Sequence, residues 1–288
     1  QGLTDVASGI QLQRGLGASR LAVPSVGGTV SIFTKAAEAR KGSSVQQSFG
    51  NDGYFKTTVA HSTGLNENGW ATSVLLSKWQ GDGYIYNTKG EGYTYFFALG
   101  YAPEDSDHSI NFSFLGAGQW HHQRDVWVSI RDYQNFGEEG IDRRWNSNGG
   151  VLNGEEFSMR RNFYNKPLAT LNWDWEINDN LKLATSLYGS AGRGGGTGPR
   201  GKSYYNSETD ILPFRKDLTE HYLENGRGSR TPDGFIDFDA VVAYNQANTD
   251  PYSGGLPFAG QLIGSNGFDE DGVNRSALVR RASMNSHD

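Results

Sequence analysis

For much of its length this chain alternates apolar and polar side chains residue by residue, in segments of about ten. In 93–101, Tyr93, Tyr95, Phe97, Leu99 and Tyr101 fall on one side, with Thr94, Ala98 and Gly100 on the other. Successive side chains of a strand point to opposite faces, so a period of two predicts a strand with one greasy face and one small or polar face. Ile110, Phe112 and Phe114 alternate in the same way with Asn111 and Ser113. So do Ala169, Leu171, Trp173 and Trp175 with Thr170, Asn172, Asp174 and Glu176, and Leu181, Leu183 and Leu187 with Lys182, Ala184 and Ser186.

The pattern predicts strands near 43–50, 54–63, 70–80, 91–101, 108–120, 163–176, 180–190 and from 277 on. With 39 Gly, 14 Tyr and 15 Phe, the composition is that of a turn-rich, all-β chain. No stretch approaches the ~18 consecutive apolar residues of a membrane helix, so a bilayer could be crossed only by strands. A sandwich would alternate too, and the connections discriminate. Joins at Gly64–Gly69, Ala102–Asp107 and Ile177–Asp179 are short. Those at 81–90, 121–162 and 191–276 are longer, and only Asn51–Gly53 breaks the trend. Short turns at one end and long loops at the other are the asymmetry of an outer-membrane barrel. Compact soluble domains rarely carry loops beyond ~15 residues. Trp70, Tyr101 and Trp175 lie beside the short turns and Tyr93 and Trp120 beside the long loops, the placement of two interfacial girdles.

The first forty residues differ. Ile10-Gln11-Leu12-Gln13-Arg14-Gly15 is followed by Gly17-Ala18-Ser19 and then by Val26-Gly27-Gly28-Thr29-Val30-Ser31-Ile32-Phe33-Thr34-Lys35. This order of a strand ending in Arg-Gly, a small-residue turn, Gly-Gly and a strand ending in Thr-Lys resembles the close of the plug domain in TonB-dependent outer-membrane receptors. Gln119 to Arg124, Arg160 to Pro167 and Gly192 to Gly198 resemble one branch of the same family. The resemblance implies residues 1–41 as the end of a plug. Residues 42–288 would be the first strands of a transmembrane antiparallel β-barrel of about 22 strands when intact. It also implies Arg14, Gly15, Gly27, Gly28, Thr34 and Lys35 as the plug motif, with Arg14 expected to meet an inward acid such as Asp174 or Glu176. Function would be import of a scarce nutrient across the bacterial outer membrane. The implied partners are the TonB complex and outer-membrane lipid, with a surface lipoprotein left open. Gln1 is not a start residue and the last residues read as strand, so the chain is expected to be part of a longer polypeptide.

Other constellations are weaker. Trp120, His121, His122 and Arg124 are the candidate residues for a mouth facing the ligand. The paired histidines are not expected to hold a metal, because strand neighbours face opposite ways. The acidic stretches Asp233 to Asp239 and Asp269 to Gly272 lack EF-hand spacing and are expected to be solvated turns. Gly192 to Gly201 lacks a following Lys-Ser or Lys-Thr and is expected to be a flexible extracellular loop rather than a phosphate cradle. With no Cys, thiolate metal sites and disulfides are excluded. No nucleophile is paired with a base, so no catalytic residue, enzyme activity or cofactor is assigned. The net charge of -6 gives no nucleic-acid footprint. The competing reading is a secreted or surface β-rich protein: a carbohydrate-binding module, an adhesin or a signal receptor.

Overall fold

A computed structural model of the chain describes residues 9–14, 28–33, 36–125, 130–136, 142–158, 160–199, 231, 233–239 and 280–287. Strand β1 (Gly9–Arg14) pairs antiparallel with β2 (Gly28–Phe33), placing Arg14 opposite Gly28. A 3-10 turn at Ala36–Glu38 leads into β3 (Gly42–Phe49), β4 (Phe55–Ser62), β5 (Trp70–Gly81), β6 (Gly90–Tyr101) and β7 (His108–His122). Helix α1 (Ile130–Asn135), β8 (Gly149–Leu152) and β9 (Glu155–Ser158) come before β10 (Arg161–Asn165) and β11 (Leu168–Asn178). Then follow β12 (Leu181–Ser190), β13 (Gly192–Pro199), β14 (Ile236–Asp237) and β15 (Arg280–His287).

One antiparallel sheet runs from β3 through β7 in chain order, then to β10 and β11, to β12 and β13, and to β15. Strands β10 and β11 form one crossing. Tyr164 opposes Gln119 and Leu168 opposes Leu115, four residues further along both chains, so the register is unbroken across Lys166-Pro167. Proline has no N–H to give to the ladder, which interrupts the bonding without shifting the pairing. Likewise β12 and β13 continue through Ala191, with Ser190 opposite Leu168 and Arg193 opposite Asn165. The expected crossings are all present, with one extension: Gly192–Pro199, placed in the 191–276 loop by its lack of alternation, is strand. It bonds β10 on one side and β15 on the other. A glycine run carries no face pattern, although its backbone pairs as well as any other. A register shift between Glu176 and Asn178 leaves Ile177 as an extra residue beside the turn to β12.

Register assigns the faces. Leu99, Phe112, Leu171 and Leu187 are successive cross-strand partners on β6, β7, β11 and β12. Beside them, Trp70, Tyr101, Ile110 and Trp173 form a second row at the short-turn end. Trp70 packs on Tyr101 at 4.7 Å between ring centroids, and Trp173 stacks on Trp175 at 6.2 Å. Val45, Val59 and Leu76 extend this apolar face across β3 to β5, and all three are exposed. The opposite face carries rows such as Ser62, Ser73, Ala98, Ser113 and Thr170. It is tied by hydroxyl and amide bonds, including Ser73 to Ser62 at 3.1 Å and Ser186 to Asn172 at 2.6 Å.

The buried core lies on that polar face. Ala71, Leu75, Phe96 and Ala98 pack beneath Ala36, whose N–H donates to Asn111 Oδ1 at 3.0 Å. Gly100 permits this approach, because a Cβ there would lie 3.0 Å from Ala37 N and 3.2 Å from its Cβ. The segment after β2 is thus pinned to the polar face of β5 and β6. Gly100→Val is expected to displace it at a cost of about 1–3 kcal/mol. Faster trypsin cleavage at Arg40 and Lys41, with the sheet retained, is the measurement.

Candidate functional site

At the long-loop end, the short β3–β4 connection is a two-residue turn with Asp52 at φ 55 and Gly53 at φ 66, the type I′ geometry that matches hairpin twist. Its carbonyl Asp52 O accepts from Asp82 N at 2.8 Å, and its carboxylate accepts from Arg144 at 2.6 Å. Arg144 also lies over the rings of Tyr84 and Tyr86, at 5.3 and 5.0 Å. The loops therefore fold together. Trp145, 1% exposed, is packed by Tyr133 and Phe136 of the α1 segment. Segment 233–239 of the last long loop adds β14 in parallel to β8, with Ile236 opposite Gly150. Ile236 and Phe238 are fully buried there, and Phe157 meets the Phe238 ring edge-on at 4.9 Å. Asn87 Nδ2 donates to Gly150 O at 3.0 Å, and Asn153 N to the Asp239 carboxylate at 3.0 Å. The stretch Asp233 to Asp239, expected to be a solvated turn, is instead anchored by the apolar residues between its acids. Asp233 and Asp239 themselves stay exposed. Asp269 to Gly272 lies outside the described residues.

Below this cap, the polar face carries one continuous row: Lys56, Trp79, Gly92, Gln119, Tyr164 and Gly194 are successive cross-strand partners on β4, β5, β6, β7, β10 and β13. Glycines flank the large groups. A Cβ on Gly92 would lie 2.5 Å from Trp79 Nε1, and one on Gly194 would lie 2.8 Å from Tyr164 Cβ. One step nearer the loops, His121 opposes Asn162 and Gly90. The result is a polar and aromatic surface whose Tyr164 is 42% exposed.

No protein-family model and no curated protein matches the chain. Solved structures do. The siderophore receptor PiuA from Acinetobacter baumannii aligns over 69% of this chain and 28% of its own, with a TM-score of 0.51 and 12% identity. The open form of the ferric-catecholate import receptor Fiu from E. coli K12 aligns over 66% and 29%, with a TM-score of 0.53 and 13% identity. By fold, this is a stretch of antiparallel barrel wall. The chain spans less than a third of the length of either receptor. The apolar face is then the outer wall and the polar face the inner wall, in keeping with an apolar band outside and a polar interior.

The wall separates the four residues expected at a ligand-facing mouth. Trp120 and His122 follow the outward positions Phe112, Phe114 and Gly116 on β7, whereas His121 points inward with Gln119 and Asn111. Trp120 donates Nε1–H to Glu91 at 2.8 Å and carries the Arg161 guanidinium 3.9 Å over its ring. Such a contact contributes about 0.5–2 kcal/mol and holds the indole to the outer wall. His122 is buried beside Trp120, at 5.4 Å. Arg124 Nη1 donates to Arg143 O at 3.1 Å, a brace for the loop cap. Of the four, His121 alone shares a face with the row below the cap. Trp79, Gln119, Asn162 and Tyr164 on that face were not expected as site residues, because inward positions are recognisable only once register fixes the face. Of the residues expected to form a plug motif, Arg14 and Gly28 are backbone partners, while Gly15, Gly27, Thr34 and Lys35 lie outside the described residues. Of the acids considered for Arg14, Glu176 accepts from Lys182 at 2.8 Å across the strand pair.

Proposed function

We propose that the chain belongs to a TonB-dependent receptor of the bacterial outer membrane, which imports a nutrient ligand past a plug without catalysing a reaction. The observation that carries this reading is the docking of the segment after β2 on the inner face of a barrel wall, through Ala36 and Asn111, with long loops gathered at one end of the wall. A sheet whose polar face receives the preceding segment, and whose opposite face is a broad exposed apolar belt, suits a lumen on one side and lipid on the other. The same belt argues against a secreted binding module, since soluble monomers rarely expose contiguous apolar patches beyond a few hundred Å². The ligand is taken up from the long-loop end, and the TonB complex supplies the energy.

The test is fractionation of source cells, followed by gel mobility of the intact protein in detergent with and without heating. Outer-membrane location, a heat-dependent shift and uptake that stops when the proton gradient is dissipated are the expected results. A soluble protein without the shift would overturn the reading in favour of a binding module.

A further inference from the structure

The inward side chains of β10 form a column with an unusual floor. Asn162 and Tyr164 of β10 point inward opposite Gly196 and Gly194 of β13, and Arg160 and Lys166, just beyond the ends of β10, lie beside Gly198 and Gly192. The partners of Asn162 and Tyr164 follow directly from the pairing. At the ends, a Cβ on Gly198 would lie 3.3 Å from Arg160 Nη1, and one on Gly192 would lie 3.0 Å from Lys166 Cγ. The glycines let these side chains lie across the neighbouring strand, with their polar ends at the lumen surface. Lys166 is exposed and has no acidic partner among the described residues. Arg160 is held near Asp125 at 3.7 Å, and Asp125 is itself fixed by Asn148 Nδ2 at 2.7 Å.

Charge is distributed unevenly along this face. Among the described residues, the long-loop half of this face carries Lys56, Arg160 and Lys166 against one acid, Asp125, which lies beside Arg160. The inward acids, Asp174 and Glu176, lie at the short-turn end, where Lys182 bonds Glu176. The long-loop half of the inner wall therefore carries a net excess of cations, although the chain as a whole is acidic.

Resting on the import reading, we infer that the inner wall of β7, β10 and β13 binds an anionic ligand bearing a flat ring. The ring lies on Tyr164, and a negative group meets Lys166. The two positions are two residues apart on one face, a backbone spacing of ~7 Å that a single small ligand can span. Arg160, about 13 Å from Tyr164 in the other direction, is already beside Asp125 and takes no part in holding the ligand. A neutral sugar could stack on Tyr164 but would leave the Lys166 charge without a counter-charge.

The probe is pyranine, a flat trisulfonated hydroxypyrene, titrated against the purified intact protein in detergent and followed by fluorescence anisotropy. Lys166→Gln and Tyr164→Leu are each expected to weaken binding at least tenfold. Lys182→Gln, which removes the same charge from the short-turn end, should change it less than twofold. Heat-dependent gel mobility checks that each variant is folded. Absence of pyranine binding, or equal weakening by Lys166→Gln and Lys182→Gln, would overturn the inference. Because the titration reads the site in detergent, such a failure leaves the import reading standing, whereas a soluble-fraction protein removes that reading by itself.

Discussion

Replacing Phe97 with arginine is expected to cost the membrane-inserted protein roughly 2–4 kcal/mol, the penalty of a cation on the lipid face near the middle of an outer-membrane band. Phe97 stands near the middle of the apolar face, between Val74 and Phe114, and is 38% exposed. Tyr188→Arg is the matched control. Tyr188 pairs with Thr170 on the inner wall and is 78% exposed, so the new charge meets a polar surface. A change within about 0.5 kcal/mol is expected there. Urea unfolding of the intact protein in lipid vesicles separates the two. Equal effects would mean that the apolar face is not in lipid.

The second large effect is in the loop cap. Trp145→Ala removes a fully buried indole that holds Tyr133 and Phe136, and the expected loss is about 3–5 kcal/mol of local stability. Because β14 pairs with β8 and Asn87 bonds Gly150, this loss should spread through the cap. Hydrogen exchange should accelerate at 142–158 and at 233–239 together. The wall strands, whose ladders do not pass through the cap, should keep their protection and the protein its heat-dependent mobility. Faster exchange at 142–158 alone would show that the loops are not coupled.

Most of the wall was legible in the sequence because its information is local. Alternation in 93–101 and 169–176 identifies strands without reference to partners, and the short join Asn51–Gly53 falls where the first hairpin turns. The two strands of the first forty residues were legible as well, and they pair with Arg14 opposite Gly28. What escaped was whatever depends on register. His121 and His122 are neighbours in sequence, yet which of them faces the lumen is settled only by counting from Asn111, Ser113 and Leu115. The glycine strand β13 was invisible for a related reason: its role is to leave space for Arg160, Tyr164 and Lys166, and an absence of side chains carries no period. The loop cap was hidden because Trp145, Ile236 and Phe238 come from segments far apart in the chain.

The extra residue at Ile177 also bears on which changes of length such a wall can accept. An insertion in the middle of a strand exchanges the two faces for every position beyond it, sending leucines into the lumen and serines into lipid. A bulge absorbs one residue by local distortion. Here it lies between Glu176 and Asn178, at the last positions before the chain reverses, where almost no wall remains to be inverted. Insertions and deletions should therefore be tolerated at the rims of this sheet and eliminated from its middle, so that a lineage could lengthen its loops freely while the number of residues between the two girdles stayed fixed.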